Sequence, residues 1–584
     1  MVPVKNSLTF VIFCLVTLVI QSCSLKHIQP NKNSSESRAK YEISSSHYVI
    51  ATQGEASARA AKAMFELGGN AIDAAAAASF TIAVERPQST GLGGGGFMLI
   101  YFAKEKNLVA VDFREKAPRA AKEKMFQDKK GEVVPALSTD GILSGAVPGT
   151  VAGILEIHHK YGKLTRQQVI QPAIDLADKG FPVYEYLANA IKDRKDVLAK
   201  YPSSAEIFLK PNGEPLSQGD LLVQKDLANT LRLIANLGKK GFYKGPVAKA
   251  VIAEETRLYG LIAQKDLDQY KPIFRKPLVG HFHGFDIYSM PPPSSGGIHI
   301  IEALNILERD DLKKLGKDTP EGIRLIASTL QEVFADRAKY LGDSDFIKIP
   351  IRGLISKKYA STLRSQILPN QARPSKDVKE GDPWAHESDD TTHFSIMDAE
   401  GNTISSTQTI NGWMGSGIVV PGTGILLNNE MDDFSSKPGT PNMFGAIGGK
   451  ENAISPTKRP LSSMSPTIVM KDGSPVLALG SPAGTRIISC VLETLLNYLE
   501  YELPLYESVR APRFHHQWIP DEIQMEPDRF NSNTIMTLEK MGYKVKLKEI
   551  LCRVQAVARQ GNHLVGVADP RGPEDKAVGG DLEK

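Results

Sequence analysis

The stretch AHESDDTTHFSIMDAEGNTISSTQTIN, residues 385–411, changes character abruptly. It is acidic and polar as far as Asp390, and then Thr391 and Thr392 open a β-rich pattern: THFSIMD, a turn at Ala399-Glu400-Gly401-Asn402, and TISSTQTIN. β-Branched and aromatic residues on either side of a glycine-containing turn predict a hairpin. The segment ahead of it, ARPSKDVKEGDPWAHESDD from about residue 372, is charged and proline-containing, which predicts an exposed stretch. An exposed segment that stops at a strand is a place where a chain can be cut. A threonine hydroxyl is a poor nucleophile unless a base stands beside it. A threonine at a chain N-terminus carries that base as its own α-amino group, with an unperturbed pKa of about 7.7–8.0. Cleavage between Asp390 and Thr391 would create such a threonine. β-Propensity alone would also put two threonines at a strand start, so the pattern leaves both readings open.

Around this stretch the chain is ordinary globular material. Its 584 residues are 41% hydrophobic and 23% charged, with a formal net charge of +4. The basic residues are scattered rather than gathered into a stripe with aromatics, which argues against a nucleic-acid partner. The start, MVPVKNSLTFVIFCLVTLVIQSC, places Lys5 ahead of an apolar run of roughly a dozen residues, shorter than the ~20 a membrane span needs. Residues 1–22 therefore read as an export signal, with Ile20-Gln21-Ser22-Cys23 resembling a lipoprotein cleavage box in which Cys23 would be lipidated. The expected location is periplasmic or outer-membrane-associated. Residues 23–44 read as a flexible tether.

Past the tether, alanine-rich runs broken at Gly68-Gly69-Asn70 predict two packed helices, and GFMLIYFA and LVAVDFRE a pair of strands. Residues from about 150 to 350 read as mostly helical. Asp472-Gly473 marks a second hairpin, and RIISCVLETLLNYL an amphipathic helix. Cys490 sits in that apolar run, where a buried free thiol is expected in preference to a pairing with Cys552.

Several motifs fall away on context. GLGGGG, residues 91–96, has the dinucleotide spacing, but here a helix precedes it and a strand follows, the reverse of what a pyrophosphate site needs; it reads as a turn for close backbone approach. The pairs His281/His283 and His515/His516 have no further ligands at metal-binding spacing, and no G-x-S-x-G elbow is present. No metal or organic cofactor is implied.

From about residue 45 to the C-terminus the chain resembles the γ-glutamyltranspeptidase (glutathione hydrolase) family. GGNAIDAA, GLGGGGFMLI, DFREKAP, PPPSSGG, TTHFS, LLNNEMDDFS, KRPLSSMSPTIV, GSPAGTRI and APRFHHQW carry the likeness, in order. It implies an α/β (α+β) N-terminal-nucleophile hydrolase fold, a four-layer αββα sandwich. Self-cleavage would give a large subunit, 45–390, and a small one, 391–584, associated as a heterodimer. Thr391 would be the nucleophile, steadied by Thr409. Arg114, Ser462 and Ser463 would bind the α-carboxylate of the γ-glutamyl group, and Asn411, Glu430 and Asp433 its ammonium. Glutathione and related γ-glutamyl compounds would be donors, with water or amino acid and dipeptide acceptors.

Two departures from the family stand out. Ala483-Gly484 replaces a glycine pair whose backbone N–H groups serve the oxyanion, and that hole is expected to survive if position 483 needs no positive φ. In the lid-like segment PNMFGAIGGKENAISPTKRP, Phe444 stands where many bacterial members have a tyrosine whose hydroxyl reaches the asparagine, which predicts a looser lid. Two other readings stay open: a glutaryl-amide acylase of the same superfamily, which needs no ammonium site, and a surface lipoprotein that only binds γ-glutamyl peptides.

Overall fold

The structure, a computed structural model, describes residues 38–383 and 393–581. The export signal, Cys23, Asp390 and Thr391 lie outside the described residues. The predicted hairpin is present as strands Phe394–Asp398 and Thr403–Thr409, paired antiparallel with Phe394 opposite Ser406 and Met397 opposite Thr403. Its turn closes through Asn402 N donating to Asp398 Oδ1 (2.9 Å), with Gly401 at φ 94°.

Both edges of this hairpin are taken. Ser395–Asp398 pair with Tyr48–Ala51, and Thr403–Thr409 with Gly95–Tyr101. The resulting seven-stranded sheet runs in the order Lys576–Gly580, Tyr48–Thr52, Phe394–Asp398, Thr403–Thr409, Gly95–Phe102, Asn107–Asp112, Ile273–Arg275. A second seven-stranded sheet has the order Glu42–Ser45, His563–Val567, Gln555–Gln560, Ser474–Gly480, Thr467–Lys471, Phe285–Ser289, Leu278–Phe282.

Side chains alternate across the first sheet, and both of its faces are apolar. Val49, Ala51, Phe97, Leu99 and Met397 join a core with Leu477, Leu479, Ala556 and Ala558 of the second sheet. Ile50, Met98, Ile100, Ile396 and Ile404 face the opposite way, against helices Glu55–Glu66, Ala71–Glu85, Thr150–Tyr161 and Arg166–Lys179. Helices Gly296–Leu307, Pro320–Tyr340 and Arg486–Leu495 cover the far side of the second sheet. The order helix, sheet, sheet, helix is the expected four-layer αββα sandwich.

Local chemistry sets these elements. Gly68 (φ 80°) ends one helix, and Asn70 caps the next by accepting from Ile72 N and Asp73 N, while Asp73 reaches back to Asn70 N at 2.8 Å. The glycines of residues 91–96 permit close approach: a Cβ on Gly94 would stand 1.9 Å from Thr409 O, and one on Gly93 2.2 Å from Leu426 O.

Two readings need correction. Residues 23–44 are not all tether, since Glu42–Ser45 is a strand paired with His563–Val567. The region from 150 to 350 is mostly helical, as expected, with the strands Ile273–Arg275, Leu278–Phe282 and Phe285–Ser289 among its helices. Period-two burial in LVGHF around the His283-Gly284 turn, both at positive φ, carried that signal. Cys490 is not a free thiol. It pairs with Cys552 across a separation of 62 residues, its Cα 6.5 Å from that of Cys552, because the loop at 551–553 runs beside the first turns of helix Arg486–Leu495. Sequence periodicity reports which face is buried but not which partner that face meets.

The cross-link closes a long loop, so its removal should be felt. Cys490→Ala with Cys552→Ala is expected to lower stability by roughly 2–4 kcal/mol, read as a shift of the denaturant midpoint at unchanged slope. The same midpoint as wild type under non-reducing conditions would show the pair is not bonded.

Candidate active site

At the open end of the hairpin the two sheets enclose a cavity of about 380 Å³. His393, Phe394 and Thr409 form part of its wall, and the residues expected at the site come to it from five separate segments. His393 is buried and neutral, its pKa driven well below the usual value by loss of solvent. Its Nε2 meets Ser395 Oγ and its Nδ1 lies 3.3 Å from Ser405 Oγ; those serines donate across to Gln555 O and Leu479 O of the second sheet. Thr409 Oγ1 accepts from Asn411 N at 2.7 Å, which leaves its proton free to be donated.

Asn411 (φ 73°) and Met414 (φ 59°) adopt left-handed backbone, bending 409–414 into a tight turn on the cavity wall. Asn411 Nδ2 donates to Asn429 O (3.0 Å), joining it to the short 3₁₀ turn Glu430–Asp433. This EMDD turn is not solvated: Glu430 and Met431 are fully buried, and Asn428 Oδ1 receives Glu430 N at 2.9 Å.

Arg114, expected to bind the α-carboxylate, directs its fully buried guanidinium to the acids here, Nη1 to Glu430 Oε1 and Nη2 to Asp433 Oδ2 (2.6 Å). A second guanidinium, that of Arg337, stands at Ser462 and Ser463: its Nη2 donates to Ser463 Oγ (3.2 Å) and its Nε donates to Ser295 Oγ (3.0 Å). Ser295 in turn donates to Ser462 O through both N–H and hydroxyl. In this state Arg114 organises the acids, and Arg337 is the cation beside the serines. Sequence reasoning missed Arg337 because it lies in the last turn of helix Pro320–Tyr340, far from any motif; its single signal was a charge on a buried helix face.

Burial dominates the electrostatics. It raises the Glu430 carboxyl well above its usual value, and pushes Glu115 up to about 7 and Asp433 to about 6, in each case against the pull of Arg114. Glu430 and Glu115 thus face a single buried guanidinium, and loss of solvent favours the protonated form of both carboxyls.

Ala483 and Gly484 lie just before helix Arg486–Leu495 on the cavity wall, with φ of 112° and 56°. Among the described residues no acceptor takes either N–H, so both are available to an oxyanion. The condition placed on position 483 is not met, since the backbone there is left-handed and alanine holds it under strain. Phe444 packs directly on this hole: a Cβ on Gly484 would stand 2.6 Å from its Cδ1. The lid does not depend on a tyrosine latch. Asn442 Nδ2 donates to Asp433 Oδ1 (3.1 Å), Met443 N to Asp432 Oδ2 (2.9 Å) and Gln517 Nε2 to Gly445 O (3.1 Å).

The arrangement offers two free N–H groups, a hydroxyl donor and buried charges of both signs on one cavity, equipment suited to acyl transfer. The γ-glutamyltranspeptidase family model matches residues 57–579. The glutathione hydrolase proenzyme of Escherichia coli (strain K12) is 46% identical over 514 residues, covering 88% of each chain. The crystal structure of cephalosporin acylase from Bacillus halodurans superposes with a TM-score of 0.83 at 24% identity over 96% of this chain and 99% of that one, a likeness of fold. Helicobacter pylori γ-glutamyltranspeptidase gives a TM-score of 0.55 at 43% identity, covering 56% of this chain and 94% of that chain. The chain belongs to the γ-glutamyltranspeptidase family and is an enzyme of the N-terminal-nucleophile hydrolase fold.

Two outcomes follow from the site. Ala483→Gly relieves the left-handed strain and should stabilise the fold by about 1 kcal/mol, with turnover equal to wild type or higher; a lower thermal midpoint would contradict the strained backbone. Glu115 binds its proton more tightly when folded, so between its ordinary pKa and about 7 the folded state holds more protons, and the stability this supplies is lost as pH rises through that window. Glu115→Gln should therefore match wild type near pH 4 and exceed it by roughly 1–3 kcal/mol above pH 7, measured by denaturant unfolding at both pH values. A pH-independent difference would remove the buried carboxyl pair.

Proposed function

We propose that this exported, self-processing enzyme attacks the γ-glutamyl amide of glutathione and related compounds through Thr391. The observation that carries the reading is the register of the hairpin: Thr391 precedes Phe394 by three residues, and Thr409 follows Ser406, the partner of Phe394, by three. Phe394, Thr409, Ala483 and Gly484 also line one cavity with the acidic turn.

In the precursor the Thr391 hydroxyl attacks the carbonyl of Asp390; the peptide C–N bond breaks, the Thr391 nitrogen leaving as a free amine with the hydroxyl proton, and water then hydrolyses the resulting ester to the Asp390 carboxylate and the Thr391 hydroxyl. In the mature enzyme that amine takes the hydroxyl proton as Oγ attacks the γ-carbonyl carbon. The oxyanion meets the N–H groups of Ala483 and Gly484, and Thr409 donates to the nucleophilic oxygen. The C–N bond then breaks, the amine departs with the proton, and a γ-glutamyl ester remains. Water, an amino acid or a dipeptide resolves the ester by the reverse proton path. Glu430 and Asp433 receive the substrate ammonium, and Ser462, Ser463 and Arg337 its carboxylate. Acids at this end favour a γ-glutamyl over a glutaryl group, which has no ammonium to offset their burial. We place the enzyme in the periplasm or at the outer membrane, with Cys23 the attachment point of a lipid.

Thr391→Ala is expected to migrate as one chain on a denaturing gel and to release no amine from glutathione, while wild type migrates as two chains. Cleavage and turnover in the variant would end this reading. Intact mass of the wild type reports the internal cut and the state of Cys23 together.

A further inference from the structure

The acidic turn and the serines account for one end of the cavity. The other end is built from different segments. Arg86 and Thr90 follow helix Ala71–Glu85, Tyr186 lies on helix Glu185–Asp193, and Trp413 sits in the 409–414 turn; all four line the cavity. That turn divides the two ends. On one flank Gly412 N donates to Asn429 Oδ1 (2.8 Å), next to Glu430; on the other, Ile410 N and Met414 N donate to Ser89 O (3.2 Å) and Gln88 O (3.1 Å) in the Arg86–Thr90 loop.

The far end is rigid and has unmet polar groups. Arg86 is 2% exposed, and its Nη1 is fixed by Gln53 O and Glu574 Oε1, both at 2.9 Å. The Tyr186 ring lies beside two guanidinium groups, those of Arg86 (5.4 Å) and Arg553 (4.1 Å), and Trp413 Nε1 donates to its hydroxyl (3.1 Å). Within this framework Arg86 Nε and Thr90 Oγ1 are buried and have no partner among the described residues, although buried polar groups are normally satisfied. Among the described residues no carboxylate lines the cavity at this end; the two wall acids among them, Glu430 and Asp433, are both at the other.

We propose that this Arg86–Thr90 end is the subsite for the amine half of the reaction, and that it selects amines bearing a carboxylate, amino acids and short peptides, over uncharged amines. The inference rests on the γ-glutamyl reading, which puts the scissile amide beside Thr409 between the two ends. The leaving amine and the acceptor that replaces it then occupy the same place in turn. Thr90 Oγ1 and Arg86 meet the polar backbone and carboxylate of the amine, and Tyr186 with Trp413 gives an aromatic surface for its side chain.

The test compares two donors that share the γ-glutamyl group: glutathione, whose leaving group carries a carboxylate, and γ-glutamyl-p-nitroanilide, whose leaving group carries none. In Arg86→Met the ratio of kcat/KM for glutathione to that for the anilide should fall about tenfold, chiefly through KM, the size of one lost charged hydrogen bond. Thr90→Val breaks no bond present in the structure and keeps the shape, so it guards against a folding defect in the arginine variant; its ratio should fall about threefold. A ratio within twofold of wild type in both variants would overturn the subsite while leaving the γ-glutamyl reading intact. A wild type that turns over neither donor would overturn the γ-glutamyl reading and the subsite with it.

Discussion

The backbone hydrogen bonds on the two edges of hairpin 394–409 are the constraint on which the rest of the molecule depends. The hairpin is the centre of its sheet, held between Tyr48–Thr52 and Gly95–Phe102. With both edges paired, its register cannot slip without turning every buried side chain to the wrong layer. Thr409 is thereby fixed at the cavity, and so is the point at which the chain enters the wall at His393. The serines that bridge to the second sheet, Ser395 and Ser405, lock the two layers at the same level.

The site itself is a balance of buried charges. Arg114 offsets Glu430 and Asp433, and Glu115 is accommodated by a proton rather than by a second cation. A buried guanidinium facing several carboxyls is stable only if some of them stay neutral. This division leaves the acids preorganised for a cationic group, while Arg337, coming from the opposite helix layer, supplies the positive charge at the serines.

Much of this was legible in the sequence. Period-two patterning around the Gly401 turn gave the hairpin, and the capping signal at Asn70 placed the break between the alanine-rich helices. Thr409, Asn411, Glu430, Asp433, Ser462, Ser463, Ala483, Gly484 and Phe444, each in one of the ordered motifs or the lid-like segment, all line one cavity. What the sequence did not reveal is partner choice between distant segments. Arg114 pairs with the acids, Cys490 with Cys552, and a cation at the serines comes from the last turn of a helix without a motif. The φ of Ala483 was equally invisible, because it is imposed by how the chain must turn from strand Ser474–Gly480 into the next helix.

Both sheets mix strands from before and after residue 391: Tyr48–Thr52 and Gly95–Phe102 enclose the hairpin in one, and Glu42–Ser45 and Phe285–Ser289 pair with later strands in the other. A cut ahead of the hairpin therefore yields two chains that cannot part while either sheet persists. It also erases the connectivity that let those strands find one another during folding. The mature enzyme would then hold together by the height of its unfolding barrier, and regain of structure after denaturation would become a second-order process that depends on protein concentration.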